Sequence, residues 1–285
     1  MMKKLLISFL MICSLQFFSQ VKIPSDFDFS TTFYEAENKY IVFYPKPEDK
    51  GFSLGVPYFD SSAGYSYKYL GNLKEENGKL NFVPTENNMI ARWQNMDLKV
   101  AVLSDKRINE IKLPNPPEFL KFYKSDKPDK DFLVDKLSFL NGTNFSNLAL
   151  PKLEQLREEG YKSLKFYFEL AFAYNALDQS PRAEEIINEA EKNNFKDELM
   201  IKEMHYALLH QNKLIPAADY LQNNLNNFKT KNYKSECIVN QIINFSNKKD
   251  WKNTEKWIKI YKTKIGEDQY KSHVDKIEQE LKSDR

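Results

Sequence analysis

Cysteine is nearly absent: two occur in 285 residues, and one of them, Cys13, lies in the first twenty. Only Cys237 remains beyond that stretch, so no internal disulfide forms and the chain must hold together by packing. The segment "KSECIVNQIINF" has the pattern of an amphipathic helix, which makes Cys237 a small core group rather than a nucleophile. Histidine is scarce too. His205 and His210 are five positions apart and do not share a helix face, and His273 is remote, so no metal pair arises. GxSxG, HExxH, GxGxxG and P-loop motifs are missing. Carboxylates are numerous, but none is marked as an acid–base pair. "DFDFS" at 26–30 alternates like a metal loop, and the polarity of an edge strand accounts for it. The expectation is a protein that is not an enzyme and needs no cofactor or metal.

An excess of charge of one sign is also missing. There are 42 Lys and Arg against 40 Asp and Glu. Lys3 and Lys4 belong to the opening stretch "MMKKLLISFLMICSLQFFSQ", which has no acid, so its removal leaves 40 of each. Neither half carries a basic stripe, which argues against a nucleic-acid partner. No long apolar run exists either. Leu5 to Leu15 is too short for the about 20 residues that span a bilayer, and with the two lysines before it reads as a secretory signal. Ser19 is the small residue before the cut, although Phe17 matches the −3 position poorly. An uncleaved anchor and a lipoprotein are the alternatives; for the latter, Ile12 stands where Gly, Ala or Ser is needed before Cys13. Residues 1–20 are thus expected to be a signal peptide. The mature chain would be exported to the periplasm or beyond, with no stable membrane insertion.

What is present is aromatic and periodic. Aromatics make up 14% of the chain, enough for a substantial core. Residues 21–113 read as a small antiparallel β domain, a meander forming a sandwich or an open barrel. "KYIVFY" is rich in strand formers, and "YSYKYL" puts Tyr65, Tyr67 and Tyr69 on one face. Those tyrosines either cover a sheet face or stack on a sugar. Asn77-Gly78 signals a hairpin turn. "MIARW" and "LKVAVL" around "QNMD" suggest a second hairpin, and "INEIKL" at 108–113 a further strand. Pro114, Pro116 and Pro117 open a connector over 114–130, in which "EFLKFYK" is a helical turn docking one domain on the other. From 131 to 285 the period becomes 3.6, so the fold class is α+β and multidomain.

The helical part repeats. Ala149, Ala183 and Ala217 are evenly spaced, at the period of about 34 residues that marks a two-helix solenoid repeat. Leu153, Ile187 and Leu221 follow each alanine by four positions, and Leu140, Tyr174 and Leu208 precede each by nine. Leu133, Tyr167 and Ile201 precede by sixteen. Ser180 suits a helix cap and Pro181 the first helical position. Pro151 requires its helix to start late. His205 stands where the repeat wants a small residue, which implies looser packing there. A fourth unit at about 235–268 needs a three-residue insertion to place Thr254, Ile258 and Tyr261. Tyr270, Val274, Ile277 and Leu281 make the single apolar stripe of a C-terminal capping helix.

Residues 164–197 closely resemble a tetratricopeptide repeat (TPR). Tyr167, Leu170, Ala171, Tyr174, Ala183, Ile187 and Ala190 fill the places of the family pattern. The resemblance extends over about 130–268. It implies a concave groove lined by the first helix of each pair, in which a peptide or protein segment binds. Carried onto this chain, the inward positions are Val134, Ser138, Phe168, Phe172, Asn175, Lys202, Tyr206, His210, Val239 and Ile243. The six central ones, Phe168, Phe172, Asn175, Lys202, Tyr206 and His210, are the candidate binding residues. The alternative is a glycan-binding or cell-envelope structural module in which the β domain carries the ligand.

Overall fold

The computed structural model describes residues 21–87 and 89–283, so the expected signal at 1–20 lies outside the described residues. The chain divides into two units between Lys124 and Ser125. The first holds an antiparallel sheet and the second is helical, which makes the protein α+β.

The sheet comprises β1 (Thr31–Thr32), β2 (Ile41–Phe43), β3 (Phe52–Asp60), β4 (Gly64–Glu76), β5 (Lys79–Pro84), β6 (Ile90–Arg92) and β7 (Lys99–Val102). The order is β1-β7-β2-β3-β4-β5, with β6 also on β4. This is not a simple meander, because the last strand inserts between the first two. The Asn77-Gly78 hairpin joins β4 to β5 as expected. Both residues have positive φ, 53° and 79°, the geometry that matches a two-residue turn to strand twist. The second expected hairpin is not formed: β6 pairs with β4 and β7 with β1 and β2, and "QNMD" carries the chain between them. Pro57 has no N–H to give. It lies beyond Gly55, the last residue of β3 that pairs with β2.

"INEIKL" does not add a strand. Ser104 accepts from the Arg107 N–H and starts α1 (Asp105–Glu110). Ile108 and Ile111, three apart, then bury against Phe52, Leu54, Val56, Leu73 and Leu80. The Arg107 side chain bonds Asp26 and Glu110, each at 2.8 Å. That is the role of Asp26 in "DFDFS", which lies in a turn segment and not on an edge strand. The first half of the expected connector belongs to this unit. A 3₁₀ turn at Glu118–Tyr123 sets Phe119 and Tyr123 against Tyr58, with ring centroids at 5.4 and 4.4 Å.

The helical unit runs α2 (Asp129–Gly142), α3 (Ser146–Glu158), α4 (Leu164–Ala176), α5 (Ser180–Lys192), α6 (Glu198–His210), α7 (Leu214–Asn224), α8 (Lys231–Asn247), α9 (Trp251–Lys264) and α10 (Lys271–Ser283). Each helix packs on the next, and α2, α4, α6 and α8 also pack on one another in a row. The same turn closes each pair. Asn144, Asp178, Asn212 and Lys249 take positive φ of 55–67°. The residue after each then donates back to Leu140, Tyr174, Leu208 and Phe245, at 2.8–3.0 Å. This six-to-one bond satisfies a helix-end carbonyl that would otherwise be orphaned. The last turn comes three positions late because α8 is longer than its counterparts, and Thr254, Ile258 and Tyr261 are buried there. Ala149, Ala183 and Ala217 are wholly buried.

Three local expectations are corrected. Pro151 sits inside α3, which starts at Ser146 regardless; the helix forgoes one backbone bond there. Ser180 is the first helical residue of α5 and not its cap. His205 does not loosen its repeat. It is fully buried, its Nε2 lies 2.9 Å from Gln241 Oε1, and Gln241 donates on to the Leu214 carbonyl at 3.2 Å. Burial lowers its pKa to about 4, so it is neutral and exchanges one hydrogen bond.

Candidate binding groove

The six candidate residues lie on two adjacent helices, Phe168, Phe172 and Asn175 on α4 and Lys202, Tyr206 and His210 on α6. Equivalent caps set both helices in register. Ser163 accepts from Phe166 N at 3.1 Å, and Asp197, one repeat period on, accepts from Met200 N at 2.9 Å. Each helix therefore presents its side chains at matching places. Phe168 and Phe172 are half-buried with ring centroids 6.1 Å apart. Tyr206 and His210 are exposed and stack at 3.9 Å with the rings 23° from parallel. Partial burial, together with Asp178 and Glu203 nearby, raises the Tyr206 pKa, so its hydroxyl remains a donor.

The other two candidates are occupied. Asn175 is 3% exposed, and its amide is spent on Glu203, whose carbonyl and Oε2 accept at 3.1 and 2.9 Å. It ties α4 to α6 and does not face an open surface, because a buried amide must find partners inside the protein. Lys202 Nζ lies 2.8 Å from Glu236 Oε2 and 5.3 Å from the Tyr233 ring. Burial works to lower its pKa, but the Glu236 bond outweighs this and the ammonium stays charged.

On α8 the expected inward residues are displaced by one. Val239 is buried and Ile243 half-buried in the helical core. A pocket instead joins Tyr206, Leu209, His210 and Asn212 to Asn240 and Asn244. One full repeat step from Tyr206 and His210 reaches these two asparagines directly, so the repeat period itself held the signal. Val134 is buried and Ser138 half-buried on α2.

Elsewhere, Tyr65 and Tyr67 are 1% and 5% exposed, in a cluster with Phe33, Tyr34, Phe43, Phe59 and Trp93. Their rings are committed to the unit's own packing and offer no face to a sugar. Cys237 is buried, which pushes its thiol up to about 12 and makes it inert at neutral pH. Among the described residues no group of three His, Cys, Asp or Glu is placed to hold a metal ion, and no helix is long and apolar enough to cross a membrane. The accessible groups on α4, α6 and α8 are rings and amides. No family model matches the chain, and no curated protein matches it.

Proposed function

We propose that the helical unit is a TPR-like solenoid of four helix pairs with a capping helix, and that the chain is an exported, non-enzymatic protein binding a peptide or protein segment along α4, α6 and α8. The repeated turn at Asn144, Asp178, Asn212 and Lys249, with the row of alternate helices, supports the architectural part. The functional part rests on one observation. On helices whose other large apolar side chains are mostly buried, Phe168, Phe172, Tyr206 and His210 stay accessible beside an asparagine-lined pocket. Rings at the centre of such a surface anchor apolar side chains, and amides hold a neighbouring backbone. The glycan-binding alternative has less support, because Tyr65 and Tyr67 are not accessible and Tyr69 alone of the three is half-buried.

The test starts from a peptide selected by display against the full chain. Phe168→Ala with Tyr206→Ala is expected to weaken its affinity at least tenfold, about 1.4 kcal/mol, while the circular dichroism and melting temperature stay unchanged. Unchanged affinity in the folded double mutant moves the site off α4 and α6. Export is tested separately. N-terminal sequencing of envelope material is expected to start near Gln20 or Val21, and a chain still starting at Met1 refutes cleavage.

A further inference from the structure

The row of alternate helices carries a column of acids. Asp135, Glu169 and Glu203 follow one another at the repeat period on α2, α4 and α6, and Glu236 follows on α8. The two outer members are matched by cations. Asp135 lies 2.5 Å from Lys127 Nζ and 2.6 Å from Lys165 Nζ, and Glu236 lies 2.8 Å from Lys202 Nζ. The lysines beside the inner pair, Lys165 and Lys202, are thereby committed to the outer carboxylates. Glu169 and Glu203 are 3% and 7% exposed. A buried carboxylate without a cation is expensive, and the usual escape is to hold a proton.

The hydrogen bonds point the same way. Asn141 Nδ2 donates to the Glu169 carbonyl at 2.9 Å and to its Oε2 at 2.8 Å. Asn175 does the same to Glu203, at 3.1 and 2.9 Å. Both amide N–H bonds are used, which fixes the orientation of each asparagine and leaves its Oδ1 as an acceptor. Asn141 Oδ1 and Asn175 Oδ1 are both buried with no donor among the described residues. The same deficit therefore occurs twice, one period apart, on an amide that already touches a carboxyl group. A carboxylate brings only acceptors to that place, whereas a carboxylic acid brings one O–H.

We propose that Glu169 and Glu203 are carried as neutral carboxylic acids whose O–H groups serve Asn141 Oδ1 and Asn175 Oδ1, so that the α2–α4–α6 row contains a proton-held seam that weakens as the pH rises. Each pair is then an acid–amide ring with two complementary hydrogen bonds. The electrostatic surroundings agree. Burial raises the pKa of both, against the hydrogen bonds that lower it, with Ser138 and Asn141 at Glu169 and with Asn175 at Glu203. Glu169 faces Asp135, Ser138 and Asn141 from α2, with Lys165 on its own helix. Glu203 faces Asn175 and Glu169 from α4 and Glu236 from α8, with Lys202 on its own helix. A folded pKa above the unfolded value of about 4.3 gives stabilisation that is complete below the unfolded pKa and is lost as pH rises through the folded one. Two of the helices so joined, α4 and α6, carry the candidate binding rings.

The test compares the full chain with Glu169→Gln/Glu203→Gln, in which a permanent N–H replaces the O–H. Urea unfolding is followed by far-ultraviolet circular dichroism from about pH 5 to about pH 9. The variant is expected to gain on the wild type as pH rises, by at least about tenfold in the unfolding equilibrium constant across that range. A ratio that does not change with pH overturns the proposal. Should the variant not fold, carboxyl carbon shifts in the wild-type chain labelled at glutamate decide the matter. Two glutamates titrating above the ordinary range support the seam, and none doing so overturns it.

Discussion

Ala183→Arg is expected to destabilise the helical unit by about 3–5 kcal/mol, a large part of the roughly 5–15 kcal/mol that holds a typical domain together. Ala183 is wholly buried on α5, the helix that packs against α4 and α6. Leu170 and Tyr174 on α4 and Ile186 and Ile187 on α5 are also wholly buried. Arginine there must either force the helices apart or leave a guanidinium without a partner, and both are costly. Ala183→Ser, of nearly the same volume, should cost far less. Thermal and urea unfolding by circular dichroism separates the outcomes. An unchanged midpoint for the arginine variant would mean that the repeat register is misassigned.

In the first unit a large single effect is expected at Gly55. A Cβ there would lie 2.3 Å from the Lys68 carbonyl oxygen and 2.4 Å from a ring carbon of Tyr67. The register between β3 and β4 shifts by one at Leu54/Gly55, and the missing side chain is what lets the Tyr67 ring cross the strand. The ring has no room to retreat, since Phe43 and Trp93 pack on it at centroid distances of 5.0 and 5.9 Å. The Lys68 oxygen is backbone in the β3–β4 ladder. Gly55→Ala is therefore expected to cost about 3 kcal/mol, at the upper end of overpacking. Amide hydrogen exchange in β3 and β4 should quicken by about a hundredfold, while exchange in the helical unit is unaffected. Native protection in the variant would show that the bulge accommodates a methyl group.

The candidate site was legible in part. Phe168, Phe172, Tyr206 and His210 are among the inward positions that the tetratricopeptide resemblance implies, and they are accessible on α4 and α6. Asn175 does not share the place of His210: one repeat step carries it to Leu209 and one step back to Asn141, both of them buried, so its place in the period faces the neighbouring helix. The asparagines at 240 and 244 lie one full repeat step from Tyr206 and His210, and the expected Val239 and Ile243 fall one position short of it, although the three-residue insertion of the fourth unit comes later. That insertion is confined to α8 and the turn after it, beyond both residues.

The sequence by itself determined what is local. The Asn77-Gly78 turn, the change of period after residue 130 and the alanines at even steps each depend on neighbours a few positions away. The helix pairs follow because their hydrogen bonds close within four or five positions. Only the tertiary structure decided the strand order, because alternation tells which face of a strand is buried and not which strand lies beside it. It placed β7 between β1 and β2, sent β6 to β4 and not to its neighbour, and turned "INEIKL" into a helix when Ile108 and Ile111 found the sheet's core. It also made Asp135, Glu169, Glu203 and Glu236 unequal. They recur like a solvated helix face in the sequence, but stacking the helices gave cations to the outer two and buried the inner two, and burial governs the charge a carboxyl group can keep.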